Sequence, residues 1–390
     1  MEPIIKSLLD VDLYKLTMMM AVLKKFPYAK VRYSFINRGK TKFPEGFAEE
    51  LRNQIKYTEN LSLTKDEKSW MKKNCYYFEP WFLDFLQGYR YNSAEVGIIQ
   101  KGNNLDVTGD GYWYRTILWE TTLMSIISEL FYRMTNQEPI KLEERNKNNA
   151  EKMKLFEMNN IQYADFGTRR RFSYGNQREV VHQMSNKILN YNFVGTSNVH
   201  LAHLFNIKPI GTHAHEWFMF HAAKYGYKMA NHLGMENWSD VFRGNLGIAL
   251  PDTFTTDVFL RSFDTKFAKL YDGVRQDSGD PKAFTDKTIE HYKKLDIDPM
   301  TKTIIFSDSL NAEKAVELKD YCKGKIKSSF GIGTNFSNDV GVTPLNIVIK
   351  MTEAKPEGEE WHPCIKLGDG VGKETGIKKE IEMAQHILNI

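Results

Sequence analysis

From about residue 160 the chain repeats one unit, a short apolar segment that ends in a polar or glycine-rich cluster. Eight such segments occur, at 163–167, 193–196, 209–212, 247–250, 271–275, 303–307, 327–331 and 346–350. Helix-like stretches separate some of them and shorter links separate the others. Strands joined through helices pair in parallel, because a parallel crossover needs a connection long enough to carry the chain back to its starting edge. Eight units of this kind predict a (β/α) barrel, irregular where the spacers are short. Chemistry in such a barrel gathers at the C-terminal ends of the strands, and the polar clusters fall there.

The first 135 residues read differently. An apolar run beginning at Leu8, with Asp10 or Asp12 to cap its first turn, predicts a helix that continues through Met18, Met19 and Met20. Residues 31–36 and 107–112 read as strands, 46–90 as helices, and 116–132 as a largely apolar helix. These elements predict an N-terminal α/β domain over 1–135, completed by C-terminal segments near 365–390. The charged stretch 140–160 predicts a solvated connecting helix at the head of a catalytic barrel domain over 136–364. Residues 353–376 are polar and loop-like, and 380–390 helical.

A chain of 390 residues has room for both parts. Its net charge of +4 is too slight for a nucleic-acid protein held by a basic face, and suits a cleft for small anions. Cys75, Cys322 and Cys364 form no metal-ligand spacing. The N-terminus lacks the layout of a signal peptide, and no uncharged run approaches the about 20 residues of a membrane span. A cytoplasmic protein is expected, with neither nucleic acid nor membrane as partner.

The strand-end clusters carry the candidate chemistry. In Gly211-Thr212-His213-Ala214-His215-Glu216-Trp217, positions two apart on a strand share a face, so His213 and His215 are expected to project together. Imidazole there can be nucleophile, base or metal ligand. Asp252, Asp277 and Asp308, beside small polar residues, are possible partners. Asp277 with Ser278, and Asp308 with its flanking serines, suit a ribose or magnesium. Arg275 shares a face with Asp277 and can clamp a carboxylate bidentately. Phe166 can stack on a flat ring, and Arg169, Arg170 and Arg171 behind it match phosphate oxygens. The turn Gly331-Ile332-Gly333-Thr334 offers backbone N–H groups to an anion.

Seven motifs together resemble the bacterial nicotinate phosphoribosyltransferase family. They are Leu9-Asp10-Val11-Asp12-Leu13-Tyr14-Lys15, Asp165-Phe166-Gly167-Thr168-Arg169-Arg170, Gly195-Thr196-Ser197-Asn198, the His213–His215 stretch, Leu250-Pro251-Asp252-Thr253, the Arg275–Asp280 stretch and Gly331-Ile332-Gly333-Thr334-Asn335. They run in family order along nearly the whole chain.

The resemblance implies a type II phosphoribosyltransferase fold, with an irregular α/β barrel and an N-terminal α/β domain, in a homodimer whose active sites are shared. It implies formation of nicotinate mononucleotide and pyrophosphate from nicotinate and phosphoribosyl pyrophosphate, in NAD biosynthesis and salvage. Magnesium is expected mainly through the substrate phosphates. ATP hydrolysis would be coupled through a phosphohistidine at His215, its imidazole oriented by Asp252. His213 would be structural or supporting. The pyridine ring would lie between Phe166 and a Tyr14 from the other subunit, with Arg275 on the carboxylate. Arg169, Arg171, Lys350 and the Gly331–Gly333 turn are the candidates for pyrophosphate. Ser197 stands where the related nicotinamide enzyme has an aspartate, and a hydroxyl can donate to a carboxylate that an aspartate would repel. Two rival readings stand beside this one. His213 and His215 with a later aspartate could hold the metal of a barrel hydrolase, or the chain could bind a nucleotide without turning it over.

Overall fold

The computed structural model describes residues 1–186, 188–370 and 372–390. Its strands in chain order are β1 (Lys30–Asn37), β2 (Val96–Lys101), β3 (Asn104–Tyr112), β4 (Tyr163–Asp165), β5 (Phe193–Thr196), β6 (Ile248–Ala249), β7 (Gly273–Gln276), β8 (Thr303–Phe306), β9 (Lys327–Ile332), β10 (Ile347–Lys355) and β11 (His362–Pro363). They form two sheets. One is antiparallel, in the order β11-β10-β1-β3-β2; the other is parallel, in the order β5-β4-β9-β8-β7-β6.

The parallel sheet is the irregular barrel. Residues 209–212 do not form the expected strand. Pro209 makes one isolated parallel bridge to Thr196, and the Thr212 hydroxyl donates to Ile248 O at 3.2 Å, so this stretch spans the gap between β5 and β6. The sequence explains the missing ladder: proline lacks the N–H, and Gly211 sits at φ +155° against the Tyr14 backbone nitrogen.

The segment 346–350, expected as the eighth barrel strand, belongs to the other sheet. As part of β10 it pairs antiparallel with β1, from Asn37 opposite Ile347 to Lys30 opposite Lys355. Its alternation was the signal. Ile347, Ile349 and Met351 are buried while Val348 and Lys350 are half-buried, whereas a strand of a parallel sheet is apolar on both faces. Residues 353–355 are therefore strand rather than loop, and residue 371 of the expected loop 353–376 lies outside the described residues. The C-terminal stretch that completes the antiparallel sheet is 347–363, ahead of the 365–390 expected. The helix Lys378–Leu388 instead packs on the barrel side, where Tyr227 donates to Glu380 at 2.6 Å and Arg261 to Leu388 O at 2.7 Å.

The helical readings of the N-terminal part are close to the observed elements. Helices run over Leu13–Lys25, Phe47–Thr58, Lys65–Asn74, Pro80–Gly88 and Trp119–Met134. The charged helix is Leu142–Met158, which buries only Asn149, Met153 and Phe156. Neither expected cap acts at the first helix. Asp12 makes no capping bond because Ser197 takes its carboxylate, and Asp10 is committed to Arg171 and Asn198. Among the described residues no helix is long and apolar enough to cross a membrane.

An aromatic cluster joins the two parts. Trp113 at the end of β3 lies 4.5 Å from Phe220 and 6.0 Å from Trp217, ring centre to ring centre. Trp217 in turn donates to Gly234 O at 2.9 Å. Burying rings of this size stabilises each by about 1.5–3 kcal/mol. It also fixes the helix His215–Tyr225, which starts on the candidate histidine.

Candidate active site

His215 opens that helix at the mouth of the barrel. Its Nδ1 lies 3.0 Å from Thr253 Oγ1, and its Nε2 lies 3.0 Å from Asp277 Oδ2 and 2.9 Å from the Lys366 ammonium. An ammonium can only donate and a carboxylate can only accept, so Lys366 and Asp277 make opposite demands on Nε2, and the Thr253 hydroxyl suits either tautomer at Nδ1. Burial, reinforced by Lys366 and opposed by Asp252 and Asp277, brings the pKa of His215 down to about 4. The imidazole is therefore neutral at pH 7.

Asp252 is not the residue that orients the ring. Its nearer oxygen is 3.8 Å from Nε2, the same nitrogen that meets Asp277. Thr253 holds the other nitrogen. Asp252 acts one step back, accepting from Lys366 at 2.9 Å and from Ser278 Oγ at 2.5 Å. His213 does not project beside His215, because the chain turns from extended backbone into helix between them. Its ring packs edge-on against Trp238 at 4.7 Å and Phe218 at 5.3 Å, and neither nitrogen has a partner. It is part of the aromatic core.

One cavity between the two sheets brings together Tyr14, Phe166, Arg169, Ser197, His215, Arg275, Asp277, Gly333 and Lys350. Tyr14 of the same chain lines it. The reason is local: Leu13 N donates to Ser197 O at 2.7 Å and Asp12 bridges Asn198, which staples the start of the first helix to the barrel. Arg169 lies over the Tyr14 ring at 5.8 Å. Lys350 enters from β10, so the strand that the sequence misplaced carries a cation into the site from the opposite sheet.

Five expected residues lie apart from this cavity. Asp252 and Ser278 lie behind His215. Thr334 lines an adjoining groove with Arg170, Ser307, Ser309 and Asn311. Asp308 faces Lys373 at 3.3 Å. Gly331 is not an anion-binding turn residue: it lies within β9, and a Cβ there would meet the Phe166 ring at 2.3 Å. Its role is to let that ring lie flat on the strand. Gly331→Ala is expected to tilt Phe166 and raise the KM of an aromatic substrate by about tenfold while the fold persists, measured by steady-state kinetics beside thermal unfolding.

Arg171 is a further correction. It is wholly buried and forms a bidentate pair with Asp10, at 2.7 and 2.9 Å, so it faces no ligand; Arg170 occupies the cavity wall instead.

The cavity wall carries Arg169, Arg170, Arg275 and Lys350 beside the carboxylates of Asp12, Glu120, Glu216 and Asp277. Arg275 has a buried Nε without a hydrogen-bond partner, and its Nη1 makes one long bond, 3.4 Å, to His213 O. Burial brings the Lys350 ammonium down to about 8; Glu120 pulls it up, and Lys366 and Arg169 push it down. Below these cations a buried network holds Lys15 between Glu120 at 2.5 Å and Glu216 at 2.8 Å. Ser197 donates to Asp12 at 2.7 Å, so its proton is already used and Asp12 sets its orientation.

Glu120 and Lys366 were missed by sequence reasoning. Glu120 sits in an apolar helix, and Lys366 lies 151 residues from His215 in a stretch read as loop. Neither stands in a motif.

Residues 161–388 match the nicotinate phosphoribosyltransferase (NAPRTase) family, and residues 9–128 match the N-terminal domain of the same family. The nicotinate phosphoribosyltransferase of Chromohalobacter salexigens is 52% identical over 382 residues, covering 98% of each chain. That of Desulforapulum autotrophicum is 52% identical over 386 residues, covering 98% of this chain and 99% of its own. The crystal structure of nicotinate phosphoribosyltransferase from Porphyromonas gingivalis superposes with a TM-score of 0.96 at 44% identity, over 99% of this chain and 100% of that one. With both matches lying on the two parts that frame the cavity, the chain belongs to the nicotinate phosphoribosyltransferase family.

Proposed function

We propose that the chain forms nicotinate mononucleotide from nicotinate and phosphoribosyl pyrophosphate, in NAD salvage, with His215 as a phosphoryl acceptor from ATP. The observation that carries the second part is the state of His215: a neutral, buried imidazole beside the Lys366 ammonium, on a cavity that Arg169, Arg275 and Lys350 also line. Such an imidazole is nucleophilic at neutral pH, and Lys366 can neutralise an incoming phosphoryl group. The imidazole lone pair attacks the terminal phosphorus, an N–P bond forms, the bond to the bridging oxygen breaks and ADP leaves. In the transfer step the pyridine nitrogen attacks the ribose carbon, and the bond from that carbon to pyrophosphate oxygen breaks. Water later cleaves the N–P bond and releases phosphate.

Nicotinate fits between Phe166 and Tyr14, its carboxylate towards Arg275, whose Nε makes no hydrogen bond and stands 3.8 Å from Asp277. Arg169, Lys350 and the groove at Gly333 and Thr334 meet the phosphates. Magnesium belongs to the same proposal. Asp277 and Asp308, at the ends of β7 and β8, supply the hard oxygen donors it prefers, and it would neutralise charge on the pyrophosphate. A hydrolase metal on His215, Asp252 and Asp277 is disfavoured, although their donor atoms lie within 4.8 Å, because the Lys366 ammonium sits 2.9 Å from both His215 and Asp252. A homodimer is also proposed, and gel filtration with light scattering tests it.

The test of function is mononucleotide formation from nicotinate and from nicotinamide, each with and without ATP. Product from nicotinate, faster with ATP, supports the whole reading; no product from either base sinks it. Lys350 adds a pH signature. Its charged form binds phosphate, and in the free enzyme that form is lost as pH rises through about 8. The kcat/KM for phosphoribosyl pyrophosphate is expected to fall about tenfold per pH unit above that point. Lys350→Met is expected to start low and lack this limb. Ser197→Asp sets a carboxylate against Asp12 in the cavity wall and is expected to lower kcat/KM for nicotinate at least about tenfold relative to nicotinamide. An unchanged ratio of the two substrates would overturn that assignment.

A further inference from the structure

The region between the helix Lys65–Asn74 and the barrel-side helix Val199–Leu204 holds a second cluster of ligand-type side chains, away from the cavity. A carboxylate oxygen of Glu67 and one nitrogen each of His200 and His203 all lie within 4.8 Å of one another. We propose that Glu67, His200 and His203 bind a divalent transition-metal ion of the zinc class, which ties the N-terminal helices to the barrel.

The case begins with His200. Its Nε2 is 3.1 Å from the Tyr174 hydroxyl, while Nδ1 is shielded from water, has no hydrogen-bond partner, and points at Glu67 Oε1 from 3.7 Å. The Tyr174 hydroxyl can accept from Nε2 or donate to it, so both tautomers are open to the ring, and in the first of them the Nδ1 lone pair faces the Glu67 carboxylate. In that tautomer both atoms are ligand donors turned towards one point. The distance suits a metal: two donors on one tetrahedral zinc, each at about 2.0–2.2 Å, stand about 3.5 Å apart.

The neighbours supply the rest of a metal site. Glu67 is already oriented, since the Ser7 hydroxyl donates to Oε1 and the Thr64 backbone N–H donates to Oε2 at 2.9 Å. Metal-binding carboxylates are held by outer hydrogen bonds in this way. The i, i+3 spacing of His200 and His203 puts both rings on one face of their helix. His203 Nε2 is in turn 2.8 Å from Asp66 Oδ2, the pairing with carboxylate that accompanies metal-bound histidines. Two imidazoles and a carboxylate favour zinc over magnesium or calcium, which prefer oxygen donors throughout.

The experiment uses the full chain, stripped with a chelator and titrated with Zn2+ by calorimetry, and with Co2+ by visible absorption. Thermal unfolding is followed in parallel. The expected result is one Zn2+ per chain, a raised unfolding midpoint on binding, and affinity at least about tenfold weaker in His203→Gln and Asp66→Asn. His203 and Asp66 are partly exposed, so these variants retain the fold. His215→Gln separates the two clusters and is expected to keep the bound zinc. Absence of saturable binding would overturn the proposal. Binding that survives in His203→Gln but is lost in His215→Gln would overturn it as well.

Discussion

Replacing His215 with alanine is expected to abolish ATP stimulation of mononucleotide formation and leave a slower, ATP-independent transfer. The ratio of rates with and without ATP should fall to unity, and incorporation of labelled terminal phosphate into the protein should vanish. The physical reason is that His215 supplies the nucleophilic lone pair, while the groups proposed to hold nicotinate and phosphoribosyl pyrophosphate are others. Arg275, Phe166, Lys350 and Arg169 line the cavity independently of the imidazole. Lys366 loses one acceptor but keeps Asp252. ATP stimulation that survives in the alanine variant would remove His215 from the coupling, and complete loss of transfer would make the ring part of the glycosyl step.

The largest loss of stability is expected from Arg171→Met. Arg171 and Asp10 are both fully buried, and burial alone would raise the Asp10 carboxyl; the guanidinium overrides it and holds that carboxyl below its usual range. Asn198 also donates to Asp10 at 2.8 Å, and Gln177 accepts from Arg171 at 3.3 Å. Removing the arginine leaves a carboxylate without its counter-charge in the interior, which costs about 3–5 kcal/mol. Urea unfolding of Arg171→Met, Asp10→Leu and the double variant checks this. Each single variant is expected to lose most of that amount and the double variant distinctly less, since no uncompensated charge remains. Additive losses in the double variant would contradict the account.

The same pair shows why reading the site from sequence goes only so far. Arg169, Arg170 and Arg171 are consecutive and chemically identical, so composition ranks them equally as phosphate ligands. Their backbone leaves a 3-10 turn at this point, and Ser125 and Ser128 of the long apolar helix hold it by donating to Thr168 O and Arg171 O at 2.9 and 2.7 Å. That turn sends Arg169 and Arg170 to the cavity and Arg171 into the core. Side-chain direction depends on contacts with a helix some forty residues earlier, which no local pattern encodes.

The barrel was legible because its signal is local. Short apolar segments with polar ends, separated by helices, report burial on both faces and a parallel crossover wherever they occur. The motif residues were legible for a similar reason: Tyr14, Phe166, Ser197, His215, Arg275 and Asp277 sit at element ends, and all line one cavity. Tertiary structure decided the matters that depend on distant partners. It moved Lys350 to the antiparallel sheet through pairing with β1, put Thr253 rather than Asp252 on His215 Nδ1, and brought Lys366 to Nε2. Sequence by itself determined which segments are buried and which residues stand at their ends, because periodicity and turn chemistry act over a few positions. Which groups share a proton or a charge was decided only by the fold, because hydrogen bonds and Coulomb forces act through space between residues that the chain keeps far apart.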